Sequence, residues 1–309
     1  MEAGAPECVV TLRGAYDLDQ LERAIRDLQP LFKVNEPVQT RLDLSGAVFI
    51  GATTVALIEA ALRRIEDFGF AAPGGTIALP RNPLTRMYLH RMDFFRGLES
   101  VGELEEEFER RDPVGFRPCQ QFRTDAEFFA VSKELAEAMS ERCKTDQEAK
   151  FAIQVCLNEL TENVLHHAYT DLGGFAVCQG TPKRKRFEVA IVDLGVGIRR
   201  SLAKNPKYAD IGDDVTAIET ALEPRVTATP ERNSGIGLSI TKLLLRDNGG
   251  DLIVRSGLGR VVGGAGQRAE NMQVELPGTV VVMRANTDRP LDIGKIYEEL
   301  PSDEDDADD

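Results

Sequence analysis

The chain has 309 residues, of which 42% are hydrophobic and 28% charged, and its 51 acidic against 37 basic side chains leave a net charge of −14. This length favours about two domains, the composition is that of a globular protein, and the negative charge argues against nonspecific binding to nucleic acid or anionic lipid. No apolar run approaches a membrane-spanning length, and Met1 is followed by "EAGAPE" rather than by a basic flank and an apolar stretch, so a cytoplasmic protein is expected.

From the N-terminus, residues 1–100 alternate short strand-like runs with helical patterns: "CVVTLRG", "DLDQLERAIRDL", "VQTRLDLSG", "TTVALIEAALRRIEDFG", "GTIALP" and "LTRMYLHRMDFF". The alternation predicts a small sheet with helices packed on it, and acidic helix starts with basic ends suit the helix dipoles. Dense charge and two prolines in "ELEEEFERRDPVGFRP" mark residues 101–118 as a linker. Two helices are expected over 125–143 and 146–168, then a hairpin of "FAVCQG" and "RFEVAIVDLG" around the solvated turn "TPKRK". A long polar segment, 199–233, precedes the helix pattern in "SGIGLSITKLLLRDNGG", and the strands "DLIVRSG" and "GTVVVMRA" flank a glycine-rich loop. At that length the polar segment reads as a mobile lid or binding loop. The acidic end, 291–309, reads as a disordered, solvating tail. Cysteines 8, 119, 143, 156 and 178 have no metal-ligand spacing, and an odd number suits reduced thiols.

Within the second helix, Glu159, Asn163 and His167 recur every four residues and so share one stripe. Apolar neighbours Val155, Leu160, Val164 and Ala168 make that stripe the wall of a cavity rather than an open surface. Glycines recur where strands end or helices begin, at Gly195 and Gly197 in "DLGVG" and at Gly235 and Gly237 in "SGIGL". The latter pair places unpaired N–H groups and a positive dipole end where an anion such as phosphate would bind. The Walker pattern is absent, and none of the glycine pairs completes a Rossmann fingerprint.

In order, "NELTENVLHHA", "DLGVG", "SGIGL" and "GT" resemble the N box, the two glycine boxes and the closing Gly-Thr of the GHKL family, which joins gyrase, the heat-shock chaperone ATPase, histidine kinases and mismatch-repair ATPases. Within it, the carboxylate before the asparagine and His167 after it are most similar to the anti-sigma-factor serine kinases. The resemblance implies a Bergerat α/β sandwich over residues 119–290 that binds ATP and Mg²⁺. It assigns Mg²⁺ to the amide oxygen of Asn163 and activation of a hydroxyl to Glu159. It assigns the adenine amino group to Asp193 with support from Thr279, and the nucleotide to Gly195, Gly197, Gly235, Gly237 and Leu238. His167 reads equally as a core histidine or as a phosphate contact, whereas Arg225 and Arg232 are candidates for reaching a terminal phosphate from the lid.

The stretch "TRLDLSGAVFIGATTVALIEAAL" resembles the STAS domain of anti-sigma-factor antagonists, which implies a STAS-like α/β domain over residues 1–100. The usual phosphoacceptor serine falls at Ala52, and Thr53 reads either as a helix N-cap or as an alternative acceptor. Together the two resemblances imply a serine/threonine protein kinase acting on a STAS-domain or sigma-factor-type partner, with a homodimer as a further expectation. The alternative is an ATP-dependent conformational switch that binds a partner without phosphorylating it. A histidine sensor kinase is not expected, because His90 lacks the acidic neighbour of a phosphoacceptor helix.

Overall fold

A computed structural model describes residues 5–94, 103–104, 116–143, 145–181, 184–230 and 234–300 as a mixed α/β protein with one parallel and one antiparallel sheet. The parallel sheet has strand order β1-β2-β3-β4, from Glu7–Tyr16, Gln39–Ile50, Thr76–Ala78 and Glu103–Leu104. Its crossovers carry α1 (Leu21–Asp27) and α2 (Gln29–Phe32), then α3 (Ala52–Asp67), then α4 (Pro83–Arg91). Parallel neighbours require such crossovers, and the βα alternation read from the sequence supplies them. Asn82 caps α4, accepting N–H bonds from Leu84 and Thr85 at 2.9 and 3.3 Å.

The antiparallel sheet has order β5-β6-β7-β9-β8. Its strands are Phe116–Phe122, Gly174–Thr181 and Arg186–Asp193 (β5 to β7), then Asp251–Gly264 (β8) and Arg268–Asn286 (β9). Helices α5 (Asp125–Cys143), α6 (Gln147–His167) and α9 (Gly237–Asn248) cover one face, meeting Ala176, Cys178, Phe187, Val189 and Ile191 in one core. The intervening residues Phe175, Val177, Ala190 and Val192 point to the other face and join the core of the parallel sheet. Strands buried on both faces read as continuous apolar runs, which "FAVC" and "VAIV" are.

Helix α3 lies between the sheets and packs against β6 and β7. Residues Ala52–Ile58 are buried without a break and carry no charge, while the charged side chains are held to Glu59 and to the stretch from Arg63 to Asp67. Across the same interface, Arg255 of β8 is wholly buried and donates from Nε to both carboxylate oxygens of Glu22, at 3.1 and 3.2 Å. Its other nitrogens donate to the carbonyls of Gly257, Gly259 and Val274.

Several expectations are corrected. Thr53 neither caps α3 nor is accessible: the N-cap is Gly51, and Thr53 is 2% exposed, its hydroxyl donating to Glu188 Oε1 of β7 at 3.0 Å. Residues 103–104 and 116–118, read as linker, are strand, because single-edge pairing needs only a few residues; residues 105–115 lie outside the description. The polar segment is folded from 198 to 222, with α7 (Ile198–Leu202) and α8 (Asp214–Ala221). Asp213 caps α8, accepting the Thr216 N–H at 2.9 Å, and Ala217, Ile218 and Leu222 enter the core beneath it. The glycine-rich loop is largely a continuation of the β8–β9 hairpin, with Gly259 to Val262 paired to Asn271 to Arg268. Within the expected tail, α10 (Ile293–Glu299) buries Leu291, Ile293 and Ile296 against the second core, and residues 301–309 lie outside the description. Among the described residues no helix is long and apolar enough to cross a membrane.

Candidate functional site

Helix α6 begins at the cap Asp146, whose carboxylate accepts the Ala149 N–H at 2.8 Å, and packs on α5 and α9. Its four-residue spacing brings Glu159, Asn163 and His167 to one wall of a cavity of about 240 Å³. Asp193 and Gly197, at the end of β7 and just beyond it, line the same cavity, as do Gly235, Gly237 and Leu238 at the start of α9 and Thr279 of β9. Nine of the ten expected residues thus surround one space. The tenth, Gly195, lies behind it: its N–H donates to Asp193 Oδ1 at 2.8 Å and orients the carboxylate.

Close approach explains two of these glycines. A Cβ on Gly195 would lie 2.0 Å from the Ala168 carbonyl oxygen, which accepts the Val196 N–H at 2.9 Å and ties the end of α6 to the loop after β7. A Cβ on Gly237 would lie 2.3 Å from Glu159 Oε2, so only glycine lets the first turn of α9 close on that carboxylate.

Burial sets the electrostatics. Asp193 pairs in register with Thr279, and its carboxyl is pushed up to about 6, with hydrogen bonds from Gly195 and Thr279 opposing the burial. Glu159 is raised by burial and next by the charge of Glu162, which makes it a better proton acceptor. His167 is pushed down to about 4 by burial, with smaller contributions from His166 and Lys204, and is therefore neutral at pH 7.

Glu162, Ser201 and Thr227 also line the cavity. Glu162 follows Glu159 by three residues and is visible in the same helical projection; Ser201 and Thr227 carry no signal in the sequence. Ser256 of β8 organises the floor, donating to the Gly278 carbonyl at 2.9 Å, accepting the Ile198 N–H at 3.0 Å and lying 3.3 Å from Thr279 Oγ1. Arg225 immediately precedes the lining residues Val226, Thr227 and Ala228, while Arg232 lies outside the described residues. Among the described residues no three His, Cys, Asp or Glu side chains converge on a metal position. The oxygen donors Glu159, Glu162 and Asn163 share one wall, a set that fits a hard divalent cation taking one or two protein ligands and completing its shell from ligand and water.

The Asp193 carboxyl predicts a pH effect. Because its pKa is raised from 3.8 to about 6, the folded protein holds this proton more tightly than the unfolded chain. The resulting stability is fully present below 3.8 and is lost as pH rises through about 6. Across that window the wild type is expected to lose up to about 3 kcal/mol relative to Asp193→Asn. Urea unfolding of both proteins at about pH 4 and about pH 7 measures this, and parallel pH profiles would refute it. No protein-family model matches the chain, and no curated protein matches it.

Proposed function

We propose that the chain is an ATP-binding regulator built from a GHKL-type sandwich behind a STAS-like α/β unit, and that it phosphorylates a serine or threonine of a separate STAS-domain or sigma-factor-type partner. The observation that carries the reading is the convergence of Glu159, Asn163, Asp193 and Gly237, from three separate elements, on one cavity. Asp193 accepts from the adenine amino group, and the start of α9 turns N–H groups toward phosphate oxygens. Through its amide oxygen Asn163 would hold Mg²⁺, which offsets the phosphate charge when bound. Glu159 takes the proton of the partner hydroxyl as its oxygen bonds to the γ-phosphorus; the bond to the β–γ bridging oxygen breaks and ADP leaves.

Burial of Ala52 and Thr53 supports an acceptor in trans. Both lie at the start of α3, against the face of the second sheet opposite the cavity, so the chain's own first unit cannot offer them.

Incubation with γ-labelled ATP and candidate STAS partners tests the proposal directly. Label transferred to a partner supports it, and tight ATP binding without transfer to any partner would replace it with the ATP-dependent switch. Calorimetry should also show ATP preferred over GTP by about 1–3 kcal/mol at pH 7, because guanine presents a carbonyl to the Asp193 carboxylate and leaves two acceptors unsatisfied. With a carboxyl pKa of about 6, the preference should shrink in more acidic buffer, where a protonated Asp193 can donate to that carbonyl. Equal affinities at neutral pH would remove Asp193 from base recognition.

A further inference from the structure

Among the described residues the cavity is lined by Glu159, Glu162 and Asp193 and by no lysine or arginine, and its histidine is neutral at pH 7. A polyphosphate entering it meets backbone N–H groups but no cationic side chain among the lining residues. At the rim the chain does something costly. Helix α6 ends at His167 with Ala168 as its C-cap, and the next residue, Tyr169, takes φ 50°, the left-handed conformation that glycine usually fills at this position. Strain held in a bulky residue persists where the surroundings make use of it. Here Tyr169 is 42% exposed, and the face of its ring carries the ammonium of Lys204, with Nζ 2.8 Å from the ring centroid. Lys204 lies just beyond α7, whose Ile198, Ser201 and Leu202 line the cavity, and its charge is felt by the lining residue His167.

We propose that Tyr169 and Lys204 form a positioned cation at the mouth of the cavity, which engages the phosphate chain of the bound nucleotide. This rests on the ATP reading above and adds a counter-charge to it. The ring holds the lysine side chain over the rim, so less conformational freedom is lost when the ammonium forms charge-assisted hydrogen bonds to phosphate oxygens. Lys204 is exposed and makes no contribution to the core, which leaves it replaceable without loss of the fold.

Calorimetric titration with ATP and with adenosine separates phosphate binding from base binding. Lys204→Met should weaken ATP about tenfold and leave adenosine unchanged, and Lys204→Arg should restore most of the loss. Tyr169→Gly relieves the backbone strain, so its melting temperature should hold or rise while ATP affinity falls severalfold; Tyr169→Phe should bind as the wild type does. Unchanged ATP affinity in Lys204→Met, or equal weakening of ATP and adenosine, would overturn the assignment and leave the ATP reading standing. A wild-type protein that binds neither ligand would overturn both.

Discussion

Asn163→Ala is expected to abolish Mg²⁺-dependent ATP binding, whereas Glu159→Gln is expected to bind ATP normally and to lose turnover by about 10²–10⁴-fold. The two residues lie one turn apart on α6 and line the same wall, yet their chemistry differs. An amide oxygen keeps its lone pairs at every working pH and suits a hard cation, while a carboxylate raised by burial suits proton transfer. Glutamine preserves the volume that Gly237 is shaped to admit, so the variant tests proton transfer rather than packing. Calorimetry with and without Mg²⁺, paired with a transfer or hydrolysis assay, reads the two effects separately. Normal turnover in Glu159→Gln would remove the base from the mechanism.

The largest effect on stability is expected at Arg255. Its guanidinium is wholly buried and bridges the second sheet to Glu22 of α1, with its remaining donors spent on three carbonyls of the β8–β9 hairpin. Arg255→Ala leaves these carbonyls and the carboxylate unmatched at once and should cost about 3–5 kcal/mol. Glu22→Gln should cost less, because Glu22 is a third exposed and water can replace part of the interaction. Lysine should not rescue the site, since a single ammonium cannot span the carboxylate and the three carbonyls together. Denaturant unfolding measures the losses, and a change below about 1 kcal/mol in Arg255→Ala would show that the pairing of the two sheets does not depend on this residue.

Much of the fold is legible locally. The βα alternation of residues 1–100, the limits of α5 and α6 and the hairpin of β6 and β7 follow from apolar period, and period is a property of consecutive residues. The stripe of Glu159, Asn163 and His167 is legible for the same reason, since helical geometry alone places residues four apart on one face. Polar composition conceals order in two places. "DDVTAIETAL" carries both a cap and an apolar face and folds as α8, and the acidic C-terminal stretch conceals the amphipathic turn of α10.

What the chain determined by itself is therefore the set of elements and the residues that each presents on a given face. Only the tertiary structure decided which surfaces those faces meet. The uncharged run Ala52–Ile58 at the start of α3 shows that this part must be buried but not between what, and the second sheet that covers it is also what removes Thr53 from reach. Likewise Tyr169 and Lys204 are 35 positions apart in the sequence, with no periodic relation. They meet because the Ala168 carbonyl is bonded to Val196 N–H, which anchors the end of α6 beside the loop leading into α7, and no local pattern encodes a contact made through such a long-range bond.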